Sequence, residues 1–255
     1  MNLTDVIPDD MISRVGKILL GVLVLYLVLW LSGFQKLFAN DTDGIGALLQ
    51  IMGTLYSVLY AFATYVIWGQ FTAVEREILK EAGALKDILI FSTRLKVATR
   101  DPIVRAVKNY AKAVVDTEWL ALSRNERTER TDKLFYDLVT CVSEMKPEDD
   151  TERALYSQLL VMTDEASSHR DERISMSRTR IPRTLLAFVS LTAGMILFLL
   201  FLYLFRNPVL GLVAVLATSI VLFFAYFVVT DLDNPFEGTW NVKPDAFGEL
   251  ITKYR

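Results

Sequence analysis

The sequence has one cysteine and one histidine among its 255 residues, and this scarcity excludes several kinds of site. Cys141 has no partner for an internal disulfide, and His169 cannot assemble a histidine-rich metal site by itself. Glycine-rich phosphate loops, His-Glu-x-x-His pairs and nucleophile elbows are also missing from the sequence. We therefore expect that the protein is not an enzyme, and we expect no cofactor.

Basic residues are not in excess either. The chain has 27 Lys and Arg residues and 30 Asp and Glu residues, which gives a formal net charge of −3. No overall positive field attracts nucleic acid, so nucleic acid is not an expected partner.

Apolar residues are abundant instead and make up 53% of the chain. This fraction exceeds the roughly 45–50% that is typical of soluble domains and indicates a membrane protein.

Four stretches are long and apolar enough to be transmembrane helices, since about 20 mostly apolar residues cross the hydrocarbon core of a bilayer. We predict spans over residues 18–38, 45–71, 184–205 and 209–230. The first is longer than the core of a signal peptide and lacks a convincing cleavage site. Only Arg206, Asn207 and Pro208 separate the last two spans, which predicts an antiparallel hairpin with Pro208 starting the fourth helix.

Basic residues near the span ends predict the orientation, because Lys and Arg close to a span tend to remain in the cytoplasm. Arg76 and Lys80 follow the second span. An arginine-rich run precedes the third span: Arg170, Arg173, Arg178, Arg180 and Arg183. The acidic loop 40–44 between the first two spans is expected outside. We predict a multi-pass protein of the cell membrane, in contact with the lipid bilayer, with both termini and the middle region in the cytoplasm.

The chain is accordingly expected to have four parts. Residues 1–71 form a cytoplasmic N-terminal segment and the first two spans, 72–182 a cytoplasmic helical domain, 183–230 a transmembrane hairpin, and 231–255 a cytoplasmic tail. In the second part acids and bases nearly cancel, and apolar residues recur with helical spacing. The predicted fold class is all-α, with four transmembrane helices and a large cytoplasmic helical domain.

Four helices are predicted in the cytoplasmic domain. The first continues the second span without proline, along the stripe of Val74, Ile78, Ala82, Leu85 and Leu89. Asp101 and Pro102 are expected to cap and start the next helix, whose apolar face carries Ile103, Val107, Tyr110, Val114 and Leu120.

A third helix, before Pro147, carries Leu134, Leu138, Cys141, Val142 and Met145. The last, over 148–180, can pack against the first through Leu155, Leu159, Met162, Ala166, His169, Arg173 and Met176.

Three features of this domain have both a structural and a chemical interpretation. His169 lies on an apolar stripe beside two acids, and we interpret it as a packed or hydrogen-bonded residue rather than a catalyst. Cys141 has no basic neighbour on its own turn and is expected to be a buried small hydrophobe. The acidic run 148–150 follows Pro147 at a helix start, where negative charge complements the helix dipole, so we favour that role over catalysis or calcium binding.

The second span differs from the other three because small and polar side chains follow one of its faces. They recur at alternating four- and three-residue steps: Gln50, Thr54, Ser57, Ala61, Thr64 and Trp68. If the protein encloses a water-filled path, this face is expected to line it. The other interpretation is a set of helix–helix hydrogen bonds inside a bundle, each worth only about 0.6 to 2 kcal/mol. The spacing alone does not choose between them.

Two short motifs resemble a known family. The segment Trp68-Gly69-Gln70-Phe71 ends the second span, and Asp233-Asn234-Pro235-Phe236-Glu237-Gly238 follows the fourth. Both are similar to the bestrophins, and closer still to the bacterial bestrophin-like membrane proteins of unassigned function. The closer resemblance covers most of the chain, including the continuous helix with Glu75, the run through Ile181-Pro182 and the tail 242–247.

Bestrophins are pentameric, mainly anion-selective channels whose second helices line a narrow neck. The resemblance therefore implies a bestrophin-like homo-oligomer, a pentamer in the bacterial inner membrane, that conducts small anions such as chloride through a central pore. Aligning the Trp68–Phe71 motif puts the neck near Gln50, Thr54 and Val58, and the first two lie on the polar face. The expected pore-lining residues are Gln50, Thr54, Ser57, Val58, Ala61, Thr64 and Trp68.

Two regions depart from the bestrophin pattern. The bestrophin neck is apolar and aromatic, whereas the corresponding positions here are polar. The dense acidic run that binds calcium in bestrophins is replaced by residues 239–241, Thr-Trp-Asn. Asp231, Asp233, Asn234 and Glu237 could still offer oxygen ligands to calcium, but a turn stabilised by Asx and proline geometry accounts for them equally well.

Two other classes of function are compatible with these residues. A non-conducting scaffold or sensor would bind a partner through the cytoplasmic helices, which occupy much of the chain. A membrane-embedded enzyme would need paired ionisable groups at the membrane surface, and its only candidates are His169 and scattered acids. The sign of a conducted ion does not follow from the spans, because hydroxyls and amides can present either end of their dipoles.

Overall fold

A computed structural model describes residues 9–253, with side chains from Ser13 onward. Residues 1–8 of the predicted N-terminal segment and residues 254–255 of the predicted tail lie outside this range. The described chain is all-α, as expected, and contains no β-strand. Its helices in chain order are α1 (Asp9–Leu31), α2 (Thr42–Ser92), α3 (Val97–Ala113), α4 (Trp119–Ser123), α5 (Glu129–Ser143), α6 (Asp150–Ser177), α7 (Arg183–Leu202), α8 (Pro208–Leu232) and α9 (Asp245–Lys253).

The chain divides into two compact units. The first, which we call the apolar unit, comprises Met1–Trp68 and Ile181–Asp233. The second, which we call the charged unit, comprises Gly69–Arg180 and Asn234–Arg255. The boundaries of the four predicted parts, at residues 71, 182 and 230, stay predictions.

The apolar unit contains the four predicted transmembrane helices. Helices α1, α2, α7 and α8 are long and apolar enough to cross a membrane, by length and composition. They leave large apolar side chains uncovered, as at Leu20, Leu191 and Val221, which are 61%, 62% and 64% exposed. Lipid covers such surfaces, whereas soluble monomers seldom expose large contiguous apolar patches. The prediction of four helices that are long and apolar enough to span a membrane is therefore confirmed.

The first span ends earlier than predicted, at Leu31 instead of residue 38. Gly33 adopts a left-handed conformation with φ of 68°, which a residue with a Cβ seldom takes, and this stops the helix. The chain then tightens into a 3-10 helix, Phe34–Asp41. The apolar residues of this 3-10 helix extend the apolar stretch of the sequence beyond the end of α1. The predicted end of the first span was therefore wrong.

The predicted hairpin of α7 and α8 is present. Pro208 occupies the first turn of α8, and the Asn207 side chain accepts a hydrogen bond from the Val209 N–H at 2.9 Å, which caps the helix. Two long-range bonds hold the connection: Tyr26 donates to the Pro208 carbonyl at 3.1 Å, and buried Gln35 donates to the Phe201 carbonyl at 3.0 Å. Helix α7 ends at Leu202, before the predicted 205, because the next residue is extended.

Helix α2 is continuous over 51 residues, as predicted. The residues expected to form its buried stripe beyond the second span are all at most 5% exposed: Val74, Ile78, Ala82, Leu85 and Leu89. They belong to the main core of the charged unit, together with residues of α3, α5, α6 and α9.

The start of α3 was predicted wrongly. The helix begins at Val97, so Asp101 and Pro102 lie inside it and do not form its cap and first turn. Proline removes the N–H that would bond to the carbonyl four residues earlier, which belongs to Ala98. Ala98 lies in the exposed first turn, where water can take over that bond. The proline is therefore tolerated one turn later than expected.

A π-helical turn, Val114–Glu118, separates α3 from α4 and corrects a second prediction. Leu120 was expected on the buried face but is 59% exposed, whereas Glu118 and Leu122 are buried. A π-turn inserts one extra residue into the helix and rotates everything after it. Burial therefore proceeds from Val114 to Glu118 and Leu122 in steps of four.

Helices α5 and α6 largely follow prediction. Asp149 is the N-cap of α6 and accepts a hydrogen bond from the Glu152 N–H at 2.7 Å, while Glu152 accepts one from the Glu148 N–H at 2.8 Å. This reciprocal arrangement matches the helix-start interpretation of the acidic run. Cys141, expected to be buried, is only half-buried beside the core. Burial raises the pKa of its thiol, which disfavours the nucleophilic thiolate.

Candidate pore-lining face and buried charge network

The polar face of α2 is uncovered within the apolar unit. Its predicted residues are exposed except for Thr64, which is half-buried: Gln50, Thr54, Ser57, Val58, Ala61, Thr64 and Trp68. Another face packs inside the unit, with Tyr56, Ala63 and Ile67 at most 8% exposed. The uncovered side of the span carries the polar stripe together with apolar side chains, such as Ile51, Phe62 and Tyr65, which are 58%, 56% and 80% exposed.

Most hydroxyls of this face are satisfied by their own helix. Thr54 donates to the Gln50 carbonyl at 2.9 Å, and Ser57 donates to the Thr54 carbonyl at 2.8 Å. The Thr64 hydroxyl is buried without a hydrogen-bond partner in the described chain. The Gln50 amide likewise has no side-chain hydrogen bond among the described residues. An amide in this position needs water or another protein surface, because hydrocarbon offers no partner.

The residues predicted as calcium ligands make hydrogen bonds inside their units. Asp233 accepts the Ile181 N–H at 2.7 Å. Asn234 accepts from Arg180 at 3.2 Å and donates to the Ser123 carbonyl at 2.9 Å. Within the described side chains, no group of three or more His, Cys, Asp or Glu could hold a metal. Calcium binding by Asp231, Asp233, Asn234 and Glu237 stays a prediction.

The charged unit contains a buried ionic network that was not predicted. Arg173 and Glu81 are both fully buried, and the guanidinium donates to the carboxylate at 2.6 Å and 3.2 Å. Tyr110 donates to the same carboxylate at 2.5 Å. Burial and the nearby Glu81 charge raise the pKa of Tyr110 well above its usual value, so its hydroxyl remains a donor.

A second acid completes the network. Glu118, carried by the π-turn, accepts from Arg173 and from Arg170 at 3.1 Å each. Arg170 also donates to Asp132 at 2.6 Å. Burial lowers the pKa of Arg173, but Glu81 and Glu118 outweigh it and raise that pKa well above its usual value. Two buried glutamates and two buried arginines therefore form a neutral set, with each charge compensated.

Aromatic rings cover the remaining guanidinium nitrogens. Arg173 Nη1 and Arg170 Nε have no hydrogen-bond partner in the described chain. The Arg173 guanidinium lies 5.6 Å from the centre of the Phe247 ring, and that of Arg170 lies 5.3 Å from the centre of the Phe135 ring. Cation–π attraction compensates part of the lost hydration. Helix α9, which carries Phe247, thereby closes the network.

One sequence signal could have revealed this network. Arg173 falls on the stripe predicted to pack against α2, and an arginine there requires a buried acid opposite. We instead counted Arg170 and Arg173 among the basic residues that orient the protein in the membrane. Glu81 lies three residues after Ile78, at the edge of the predicted stripe of α2, so the sequence also placed an acid near the buried face.

His169 is hydrogen-bonded, as its structural interpretation requires. Its Nδ1 lies 2.7 Å from Glu77 Oε2, and Lys80 donates to the other oxygen at 2.8 Å. Burial raises the pKa of Glu77, but the hydrogen bonds from Lys80 and His169 outweigh this and hold it below its usual value. The acid is therefore ionised near neutral pH and engaged by its neighbours.

The helix lengths and the exposed apolar surface indicate a helical membrane protein with four candidate spans. The Bestrophin-like domain matches residues 16–247, and the chain belongs to the bestrophin-like family. No curated protein matches the sequence.

Solved structures share the fold. A bacterial bestrophin homologue from Klebsiella pneumoniae with a single substitution is similar over 92% of this chain and 98% of its own, at 13% identity and a TM-score of 0.70. A bacterial bestrophin homologue from that organism solved by Zn-SAD phasing covers 91% and 94%, at 13% identity and 0.70. A structure described as a membrane protein covers 95% and 97%, at 10% identity and 0.72. At this identity the likeness shows the fold alone.

Proposed function

We propose that the chain assembles into a homo-oligomeric ion channel in which copies of α2 surround a central pore. The observation that carries the proposal is that the polar stripe of α2 is uncovered at Gln50, Thr54 and Ser57. Tyr56, Ala63 and Ile67 of the same helix are buried against their own unit. Facing lipid, the Gln50 amide would lack a hydrogen-bond partner, whereas facing a shared axis it meets water. Family membership supports this class, because bestrophins are known as channels rather than enzymes.

Small anions such as chloride are the proposed permeating ions, and a pentamer is the proposed assembly. Both rest on the resemblance to bestrophins. The proposed pore lining is neutral, and its amides and hydroxyls can solvate an anion through N–H and O–H groups. We also propose the bacterial inner membrane as the location, with the charged unit in the cytoplasm, on the basis of the arginine-rich run before α7.

Chloride flux from liposomes tests the proposal. Gln50→Trp and Thr54→Trp place a large ring at the proposed neck and should reduce flux by about tenfold or more, since a narrow apolar constriction excludes hydrated ions. Val221→Trp is the matched control, because this α8 residue is 64% exposed and lies on an apolar helix. Its flux should equal that of the wild type. Wild-type flux in both α2 variants would contradict the assignment of the pore face.

A non-conducting scaffold is the second candidate. The charged unit exposes large apolar side chains that a partner would cover, including Val97, Tyr136 and Val161, which are 60%, 69% and 50% exposed. Purified protein that passes neither chloride nor potassium, and that binds one defined partner through these residues, would favour the scaffold. Flux without a partner would favour the channel.

A further inference from the structure

A cavity of about 320 Å³ lies in the charged unit between α2 and the segment that leads into α9. Its apolar lining residues are the buried Ile78 and Val242 and the half-buried Phe71, which we call the floor. Its charged lining residues are exposed, and we call them the rim: Glu75, Lys243 and Asp245. Neither the pore proposal nor the buried network uses this cavity.

The walls of the cavity are fixed by hydrogen bonds. The Val242 N–H donates to the Pro235 carbonyl at 2.8 Å, and Trp119 Nε1 donates to the Val242 carbonyl at 3.2 Å. Asn241, also in the lining, donates to the Gly238 carbonyl at 2.9 Å. The segment is therefore held in place before any ligand arrives, which lowers the entropic penalty of binding.

The rim charges contrast with the buried network. Each acid of the network meets an arginine, whereas Glu75, Lys243 and Asp245 have no ion pair or hydrogen bond to another described side chain. Two carboxylates and one ammonium around an apolar floor complement a zwitterion. The carboxylates suit an ammonium group, and Lys243 suits a phosphate.

The position along α2 favours a ligand from the bilayer. Glu75 is the first charged residue after the long uncharged stretch of α2, and Phe71 lies four residues before it. At 1.5 Å of rise per residue, this separation is about 6 Å. The cavity therefore lies where the apolar stretch of the helix gives way to charged residues, as lipid headgroups lie between hydrocarbon and water.

We propose that this cavity binds the headgroup of an ethanolamine phospholipid. The ammonium group lies between Glu75 and Asp245, the phosphate lies against Lys243, and the glycerol end lies over Phe71. A headgroup of this size suits a pocket near the lower end of ligand-site volumes, about 300 Å³. The proposal does not depend on ion conduction, so either can fail alone.

Native mass spectrometry of the full-length protein tests the proposal. The protein is equilibrated with equal amounts of phosphatidylethanolamine and phosphatidylglycerol that carry the same acyl chains. The wild type should retain the ethanolamine lipid in excess. The double variant Glu75→Gln, Asp245→Asn should lower that excess by about tenfold, because two charge-assisted hydrogen bonds are removed.

Two controls make the result decisive. Glu165→Gln removes an exposed α6 carboxylate remote from the cavity lining and should leave the lipid preference unchanged. Glycerophosphoethanolamine, which has the headgroup without acyl chains, should not displace the lipid at the same concentration. Displacement by it would assign the cavity to a soluble amine and overturn the lipid assignment. Equal retention of both lipids by the wild type, or an unchanged preference in a folded double variant, would overturn the proposal itself.

Discussion

Arg173 Nε lies 2.6 Å from Glu81 Oε2, and both side chains are completely buried in the charged unit. Four residues earlier on each helix, His169 Nδ1 lies 2.7 Å from Glu77. The two contacts therefore join adjacent turns of α2 to adjacent turns of α6. Spacing by one helical turn on both sides fixes the register of α6 against α2.

Breaking the buried pair should destabilise the protein strongly. Arg173→Met removes the guanidinium that Glu81 and Glu118 share. Glu81→Gln removes one of the two carboxylates that pair with Arg173. Removing one partner of a buried pair typically costs about 3–5 kcal/mol. Thermal unfolding followed by circular dichroism should show a large fall in Tm for both variants. Glu249→Gln breaks the exposed pair with Lys253 and should leave Tm unchanged. Equal effects in all three would contradict the network's role.

Stability should fall at acid pH partly through Asp132. Burial raises the pKa of this carboxyl, but hydrogen bonds from Arg127 and Arg170 outweigh it and hold it below the usual 3.8. A depressed folded pKa adds stability above the unfolded value, and this contribution disappears as pH falls through the folded pKa. Asp132→Asn should therefore lower stability near neutral pH and flatten its decline below 3.8. Denaturant titrations across that range give the measurement.

The control for the acid prediction is Asp164→Asn, which changes an exposed carboxyl on α6 that has no ion pair in the described chain. Its stability profile should follow that of the wild type at every pH. An Asp132→Asn profile parallel to the wild type down to acid pH would show that this carboxyl does not supply the stabilisation.

Gly211 is required by close packing in the apolar unit. A Cβ at this position would meet the Tyr26 hydroxyl and lie 2.8 Å from the Phe205 ring. Gly211→Ala should therefore destabilise the protein by about 1–3 kcal/mol, the usual range for overpacking. Gly194→Ala on α7 is the matched control, because nothing lies within 4 Å of its added Cβ. Heating the detergent-solubilised protein and measuring the loss of its folded fraction distinguishes the two. A milder effect at 211 than at 194 would refute the packing argument.

His169→Ala should lower stability without reducing ion flux. The imidazole is hydrogen-bonded to Glu77, and losing a hydrogen bond to a charged group typically costs about 1–3 kcal/mol. Liposome flux normalised to the amount of folded protein should match that of the wild type. A variant that folds normally but has lost ion flux would contradict a purely structural role for His169.

Local patterns predicted most of the helices. Four apolar stretches, an unbroken stripe along α2 and an acidic start to α6 each depend on neighbouring residues. Leu120 shows where such patterns fail, because the π-turn before it adds a residue that helical periodicity does not anticipate. The prediction that α3 starts at Pro102 is wrong for a related reason. A proline is also tolerated one turn inside a helix, where the carbonyl it leaves unpaired is exposed to water.

The buried network and the pore face could be predicted only in part. Glu81 and Arg173 lie 92 positions apart, and no local signal pairs them. Spacing alone predicts the polar face of α2, and the described chain leaves this face uncovered. Spacing within one chain carries no information on whether water, lipid or another protein lies against it.

The central claim is that Gln50 and Thr54 of several copies face a shared, water-filled axis. Electron cryomicroscopy of the protein in lipid nanodiscs tests it most directly, because the map gives both the rotational symmetry and the direction of α2. The account predicts a closed ring with an axial opening lined by Gln50 and Thr54. A solitary subunit, or a ring in which these two side chains face lipid, would contradict it.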